Sequence, residues 1–547
     1  MAPITRRQTL GMALAAPFMS TISDADPDQG LFDHGVASGD PDHQSVVIWT
    51  HLTTQKNQAK VLWQVSESPD FNTITQQGES ITDISRDFTV KVLVTGLRAG
   101  KRYFYRFNYD QTFSPVGRTR TLPEGHIKSA AIALVSCSNY PFGFFNAYDA
   151  IAKDPDIEFV LHTGDYLYEY GADGWGAATG KRLNRVHVPE HEIISLADYR
   201  LRHAQYKRDP ASKAMLANHP LLLLWDDHES ANNPWVGGAQ NHQPEFEGDW
   251  SERRAAATQA YYEWMPIREP ELESDRLHFW RRYVLGDLAT LVTVESRHTG
   301  RAQQIEYDSY VTSIKTMQDA KQFEDRVLNQ ADRPMLSPEM QQFLQQAMID
   351  SRAKLQPWRI LGNAIPMAKV RVPNLRNLGI SMPTDAQADG PNFVWKGDFG
   401  LPLYLDTWDG YPWAREEFYQ NCQQNQIRDL LVLTGDSHSF WSNQLCDNHG
   451  KPMGIEIGTA GVTSPGDFIE QGFDIETSRR LDQALIQYNN EVRWTDNLHQ
   501  GYVKLVLSHQ QVDVEFVAMS TVLSTDYTAT VIRHETITNK NGNLTFV

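Results

Sequence analysis

Apolar residues along this chain gather in short unbroken runs that stop abruptly at polar or acidic residues. Residues 130–136 end at Cys137, and residues 159–163 end at Gly164-Asp165. Residues 221–225 end at Asp226-Asp227-His228-Glu229, and residues 430–434 at Gly435-Asp436-Ser437-His438. Runs this apolar suit strands covered on both faces, because a half-exposed strand would alternate. The carboxyl ends of such strands are where sheet proteins collect ligands and catalytic groups. The four runs together therefore predict a metal site assembled along one sheet edge. A fifth run, 289–295, ends in Glu295-Ser296-Arg297, and residues 502–516 alternate as hairpin strands do. Helical stretches lie between the runs. Residues 251–262 carry Ala255, Ala256, Ala257 and Ala260 and are followed by Pro266 and Pro270, a helix and its stop signals. Residues 337–355 predict another, with Ser337 as amino cap and Pro338 in the first turn. Strands alternating with helices predict a layered α/β domain that draws its ligands from far-apart points of the chain.

Residues 32–124 follow a different pattern. Val46-Val47-Ile48-Trp49 and residues 59–65, 87–93 and 103–109 are short, alternating or β-branched runs separated by turn residues, which predicts a small antiparallel sandwich. The stretch 97–106 resembles the approach to a late strand in fibronectin type III domains, with a tyrosine in the corner position. No catalytic constellation falls there, so a packing or substrate-shaping role is expected. The first residues, with Thr5-Arg6-Arg7-Gln8-Thr9-Leu10 and then small residues to Ser23-Asp24-Ala25, read as a twin-arginine export signal over residues 1–25. The expected division is the signal, a β-sandwich over 26–124 and a catalytic domain over 125–547.

Length and charge narrow the picture. At 547 residues the chain has room for more than one domain. A formal net charge of −18 argues against a nucleic-acid partner, which would need a basic face. An anionic substrate would have to be met by local metal or arginine charge. No apolar stretch is long enough to span a bilayer. Of the three cysteines, Cys422 and Cys446 flank the run ending at Asp436 and form the expected pair if a disulfide exists. Cys137 sits level with the other ligand-bearing run ends, which favours a thiolate ligand over a small buried hydrophobe.

The candidate chemistry follows from the residue types. Asp165 comes immediately after a tight turn and Tyr168 three residues on. A carboxylate can bridge two cations about 3.5–4 Å apart, and a tyrosine phenolate beside it would favour trivalent iron. Asp226 and Asp227 repel each other and are costly to bury unless cations or donors compensate. His228 could protonate a leaving group or steady a developing oxyanion. Asn232 and Asn233 offer amides to phosphate or metal, and Asp436 with His438 forms an i, i+2 pair. Arg253, Arg254 and Arg297 are candidate anion clamps. Adjacent positions on a helix diverge, so one of Arg253 and Arg254 is expected to reach the site.

Several strings in order resemble the PhoD-type alkaline phosphatases, within the calcineurin-like metallophosphatases. They are Gly35-Val36-Ala37-Ser38-Gly39-Asp40-Pro41, Gly164-Asp165-Tyr166-Leu167-Tyr168-Glu169, Trp225-Asp226-Asp227-His228-Glu229 and Thr434-Gly435-Asp436-Ser437-His438. Arg253-Arg254-Ala255-Ala256-Ala257, Gln259-Ala260-Tyr261-Tyr262-Glu263 and Trp408-Asp409-Gly410-Tyr411 also match. The resemblance implies a four-layer metallophosphatase β-sandwich core flanked by helices, behind a small fibronectin-III-like β-sandwich. It implies a centre of Fe3+ and Ca2+, binuclear or larger. Cys137, Asp165, Tyr168 and His438 match the iron-side ligands, with Asp165 bridging and Asp227 and Asp436 on the calcium side. One of Asn232 and Asn233, and one of Arg253 and Arg254, matches the phosphate-contacting region. Glu295 departs from the family's Asp-x-Arg string, and the closing residues are strand-like where a carboxyl-terminal lid helix would stand. The expected activity is metal-dependent hydrolysis of small phosphate monoesters, with diesters also accepted, by direct attack of a metal-bound hydroxide or oxide, in an exported, periplasmic or secreted alkaline phosphatase. The twin-arginine machinery is the expected export partner. A phosphodiesterase or phospholipase D-like hydrolase on the same metal core is the alternative, and a non-enzymatic metal- or carbohydrate-binding surface protein is the disfavoured reading.

Overall fold

The apolar runs become the middle strands of two sheets lying face to face. The structure, a computed structural model, describes residues 30–383 and 393–547; the export signal read at residues 1–25 lies outside them. Among the described residues one sheet has ten strands and the facing sheet seven. In the first, Ser129–Val135, Phe159–His162, Leu221–Leu223 and Val36–Gly39 run parallel side by side. In the second, Ala289–Thr293, Trp358–Gly362, Leu430–Thr434 and Pro452–Gly458 do the same. The predicted metal-bearing runs are thus divided. Three end in the first sheet, whereas the run ending at Asp436 belongs to the second, so the ligands cannot share one sheet edge. The carboxyl ends of the two parallel sets meet across the interface, where Ser136 bridges Gly461 just past the strand Pro452–Gly458 and accepts from Val462 N at 2.9 Å.

Alternation sorts the side chains into two dry layers. Ile132, Leu134, Phe159, Leu161, Leu222 and Leu224 face the second sheet and join Leu291, Ile360, Leu431 and Ile455 in one core. Ala133, Val135, Val160, Leu221 and Leu223 point outward under the helices Asn146–Lys153, Leu196–Arg208, Pro210–Asn218 and Trp250–Trp264. The helices Pro338–Ala353, Pro412–Gln424 and Ile475–Tyr488 cover the far side of the seven-stranded sheet. The result is helix, sheet, sheet, helix, the four-layer α/β arrangement expected. Local signals operate as read. The Ser337 hydroxyl accepts from the Met340 amide at 3.1 Å at the start of its helix, with Pro338 in the first turn. The Ala-rich helix begins at Trp250, one residue before the predicted start, because the Asp249 carboxylate caps it by accepting from Ser251 N at 2.7 Å. Residues 501–519 form the expected hairpin.

The amino-terminal sandwich is built into this frame. Gln76–Asp83, Gln58–Ser66, Arg102–Tyr109 and the short strands beside them make its outer sheet. The Tyr103 hydroxyl accepts from the Arg98 amide at 2.9 Å, which fixes the corner. Its inner sheet, Val36–Gly39, Val46–His51 and Thr89–Val94, is the edge of the ten-stranded sheet itself. Val46, Ile48 and Val90 face the sandwich core, while Ala37 and Trp49 on the same strands pack under the catalytic helices. The seam is narrow: Gly39 registers with Leu221, and Asp40 N donates to Leu221 O at 2.9 Å. A Cβ at Gly39 would stand 2.7 Å from Pro266 O and 2.9 Å from Leu221 O. Only glycine lets the strands approach this closely.

All three cysteines are free thiols. Cys422 and Cys446, the expected pair, part because Cys422 is buried in the core under its helix while Cys446 sits partly exposed against Gln444 O, at 3.9 Å. Gly39→Val should wedge the seam open and destabilise the chain by about 2 kcal/mol, read as a lower urea midpoint. A wild-type midpoint would show that the seam does not need this close approach.

Candidate metal centre

The polar residues that end the strands converge where the two sheets meet. Two glycines permit it. A Cβ at Gly164 would stand 2.4 Å from both the Asp226 amide nitrogen and its Cβ, and one at Gly435 would stand 2.2 Å from Ser136 Oγ. The first close approach brings neighbouring strand ends together; the second brings the two sheets together. At the same level Cys137, Asp165, Asn233, Asp436 and His438 all adopt left-handed backbone, with φ of 60°, 55°, 50°, 63° and 54°. Such a conformation is uncommon for residues with side chains and is held only where surroundings over-determine it.

One side of the centre holds sulfur, carboxylate, phenol and imidazole together. Cys137, Asp165 and His438 each present a donor atom within 4.8 Å of the others. The Tyr168 hydroxyl donates to Asp165 Oδ2 at 2.9 Å and lies 3.0 Å from Ser464 Oγ. Burial, then the Asp165 charge, push the Cys137 thiol well up. Burial, again reinforced by Asp165, raises the Tyr168 phenol. Burial and the neighbouring acids Asp227, Asp226 and Glu229 raise Asp165 itself despite the opposing pull of His228. Burial lowers His438 to about 3, which keeps its ring neutral, and its Nδ1 finds no protein partner among the described residues.

The other side is acidic. Asp226, Asp227 and Asp436 bring carboxylate oxygens within 4.8 Å of one another. The fully buried Arg297 guanidinium lies between them, 2.5 Å from Asp226, 3.3 Å from Asp436 and 3.6 Å from Asp227. Burial pushes Asp226 up to about 6. Burial opposes ionisation of Asp227 too, but His228 and Arg297 outweigh it and hold that carboxyl below its usual range. Asp226 Oδ2 and Asp227 Oδ1 are buried with no hydrogen-bond partner among the described residues.

His228 stands between the two sides. Its Nδ1 is 2.7 Å from Glu169 Oε2, its Nε2 is 4.0 Å from Asp227 Oδ2, and its ring lies against Tyr168 at 4.2 Å. Burial disfavours its charge, but Asp227, Glu169 and Asp165 overcome that and raise it well above the ordinary imidazole range. Glu169 is itself fixed by Asn232 N and Asn241 Nδ2, each at 2.8 Å. Glu229 accepts from Tyr166 N and Asp226 N and so ties the two loops together.

Among the remaining candidates, Asn233 donates its amide N–H to Asp227 Oδ2 at 2.9 Å and turns its side-chain oxygen to Arg297 at 3.5 Å. Asn232 points its side chain to Gln240 at 2.6 Å. Neither Arg253 nor Arg254 pairs with the central carboxylates. Arg253 is buried and bound to Glu192, Glu247 and Asn241 O, whereas Arg254 donates to Val236 O. The helix places Arg253 behind the Glu169 loop and Arg254 toward the surface. Three residues of consequence escaped the sequence reading. Glu169 lies in a string singled out there, and its acid following a strand end was the available signal. Ser464 carried none. Trp175, in the Gly- and aromatic-rich stretch after Tyr170, stacks its ring on His438 at 5.4 Å and lies 5.6 Å from Tyr168.

The donor set fits cations. Asp165, Asp226, Asp227, Asp436 and Glu169 stand against Arg297 and His228, five buried or nearly buried carboxylates against two cationic groups. Two of the carboxylate oxygens and one imidazole nitrogen lack a hydrogen-bond partner among the described residues. Buried polar groups and charges left this way are costly unless further donors or metal compensate.

The sequence matches the PhoD-like phosphatase family over residues 132–516 and that family's N-terminal domain over residues 17–123. Alkaline phosphatase D of Bacillus subtilis (strain 168) is 32% identical over 508 residues, spanning 89% of this chain and 77% of that protein. A solved structure described as the structure of PhoD superposes with a TM-score of 0.76 at 28% identity, covering 96% of this chain and 93% of its own.

Glu295 is the anchor of Arg297. Its Oε1 accepts from Trp225 Nε1 at 3.1 Å and from the amides of Arg297 and His298 at 2.8 Å; its Oε2 accepts from Thr299 N at 2.9 Å and Thr299 Oγ1 at 2.5 Å. Glu295→Ala should leave several of these donors unpaired and destabilise the chain by about 3 kcal/mol, with Glu295→Gln less affected, both measured by urea unfolding. Equal, small effects of the two substitutions would remove Glu295 from this role.

Proposed function

The chain belongs to the PhoD-like phosphatase family, a family of phosphoric ester hydrolases, and we propose that it hydrolyses phosphate monoesters at the centre formed by Cys137, Asp165, Tyr168, Asp227, Asp436 and His438. The observation that carries this reading is the buried excess of carboxylates around Arg297, with Asp226, Asp227 and Asp436 bringing oxygens within 4.8 Å of one another. Cys137, Asp165, Tyr168 and His438 would hold iron, and Asp165, Asp227 and Asp436 would hold calcium; Asp226 contributes charge through its pair with Arg297. Cations there would supply Lewis acidity, activating the attacking water and drawing charge from the phosphoryl oxygens.

The chain's own groups account for the remaining work. Arg297 is held rigidly by Glu295 and offers its guanidinium to the equatorial oxygens, where charge must be neutralised in phosphoryl transfer. Asn233, whose side-chain amide lies beside Arg297, adds a hydrogen-bonding group at the same place. His228, kept protonated by Asp227 and Glu169, donates a proton from Nε2 to the departing alkoxide. Glu169 accepts from Nδ1 and so fixes which nitrogen faces the substrate. Trp175 and Tyr170 form an aromatic wall beside His438 and His228, against which the leaving group is screened from water. The sandwich carries none of these groups and acts as a brace for the sheet. Export by the twin-arginine route to a periplasmic or external site remains part of this proposal, supported by the Arg6-Arg7 string.

Turnover and absorption measurements test the reading. Asp165→Asn should abolish turnover of p-nitrophenyl phosphate, chelation should do the same to the wild type, and calcium should restore it. Tyr168→Phe should remove a visible phenolate-to-iron absorption; restoration by zinc alone, or a colourless iron-free enzyme of full activity, would overturn the metal assignment. Faster turnover of bis(p-nitrophenyl) phosphate than of the monoester would favour a diesterase. Separately, His228→Gln should lower kcat by about 10²-fold or more on alkyl phosphates and by much less on p-nitrophenyl phosphate, whose phenolate leaves without much protonation. Equal losses on both would exclude His228 as the proton donor.

A further inference from the structure

At the end of the sheets opposite this centre, three side chains from three distant segments meet. His126 lies in the connection between the sandwich and the strand Ser129–Val135. Asp287 lies in the turn between Arg281–Leu285 and Ala289–Thr293, and His509 in the turn between Gly501–Ser508 and Gln511–Met519. The His126 Nδ1 is 2.8 Å from Asp287 Oδ2, and His509 Nε2 is 3.4 Å from Asp287 Oδ1. The two imidazoles stack at 5.0 Å with planes 25° apart. Each residue offers one ligand atom within 4.8 Å of the others.

Main-chain contacts hold these side chains in place. Gly286 N donates to Pro123 O at 3.1 Å and Asp287 N to Gly125 O at 2.9 Å. Gly286 has φ of +52°, and a Cβ there would stand 2.3 Å from Gly125 O, so the turn and the connection can interlock only through glycine. Ile127 N donates to Asp287 Oδ1 at 3.2 Å, and Ile127 O lies 3.0 Å from His509 Nε2. The connection is therefore clasped between one turn from each of the two facing sheets. The side-chain exposures of 72%, 40% and 28% for His126, Asp287 and His509 leave room for water to complete a coordination shell.

We propose that His126, Asp287 and His509 form a second, peripheral metal site for a zinc-class dication, separate from the catalytic centre and independent of the phosphatase reading. Two imidazole nitrogens and one carboxylate oxygen are a ligand set suited to Zn2+, Ni2+ or Cu2+ and poorly suited to Ca2+, which prefers oxygen alone. Without metal, His126 Nδ1–H faces Asp287 Oδ2 and His509 Nε2–H donates to Ile127 O; the cation takes the place of those protons. Loading costs the contact between His509 Nε2 and Ile127 O, while Asp287 retains the Ile127 amide. The bound ion ties residues 126, 287 and 509 to one point, linking the connection to both sheets, and so contributes to stability without touching substrate.

The test uses the full chain with its catalytic metals in place. Equilibrium dialysis against Zn2+ with elemental analysis should find one more zinc per chain in the wild type than in His126→Ala or His509→Gln. Zinc at about a hundred times its Kd should raise the wild-type Tm by about 2 °C and leave both variants unmoved, with p-nitrophenyl phosphate turnover in zinc-free buffer the same in all three. His126 is largely exposed, so its variant should fold as the wild type does. Equal zinc retention in the three proteins, or an equal Tm rise, would overturn the site; tighter binding of Ca2+ than of Zn2+ would overturn the metal class.

Discussion

The packing of carboxylates into a buried cleft is the constraint on which the rest depends. Asp165, Asp226, Asp227, Asp436 and Glu169 crowd around one guanidinium and one imidazole. Taking such charges out of water is expensive, and their attraction to a partner repays it only when geometry is good and the remaining lone pairs are met. Arg297 hydrogen-bonds Asp226 and Asp436 and lies 3.6 Å from Asp227, while Glu295 holds the amides of Arg297, His298 and Thr299. His228 is fixed in the same way by Glu169. These two supports set where positive charge can stand and leave Asp226 Oδ2 and Asp227 Oδ1 unmet.

Holding the acids together also strains the chain. Five residues at the cleft adopt left-handed backbone, each at a cost on the order of 1–3 kcal/mol. Sheets with dry layers on both faces can sustain that, since the strands before each bend are locked by neighbours and cannot relax. The same rigidity fixes where the His228, Arg297 and Asp165 side chains stand. Preorganisation of this kind is what electrostatic stabilisation of a developing charge requires.

The sandwich extends the frame. Its inner strands continue the ten-stranded sheet through Gly39 and Leu221, so its position is set by main-chain hydrogen bonding as well as by side-chain contact. Asp40, just past that seam, accepts from Arg268 N at 2.9 Å and pairs with Arg281 at 3.2 Å, joining the edge of one sheet to the first strand of the other. The connection carrying His126 is clasped by Asp287 and His509, and Leu122 N at its start donates to Asp42 O at 2.9 Å. These linked fastenings hold the sandwich in register with the catalytic layers.

Local chemistry alone determined a good part of this. The apolar runs, the Ser337 cap, the Ala-rich helix and the break of pattern near residue 124 are short-range signals, and each run ends at the polar residue that the structure brings to the cleft. Which sheet each run joins was beyond reach: a buried parallel strand reads the same in either, so the run ending at Asp436 was placed beside the others when it lies across from them. The same holds for charge partners. Arg253 and Arg297 look alike as letters, yet one is bound by Glu192 and Glu247 behind the cleft and the other stands at its centre. Residue type and spacing fix what a segment can do; only the register and stacking of strands distant in sequence decide which groups face each other.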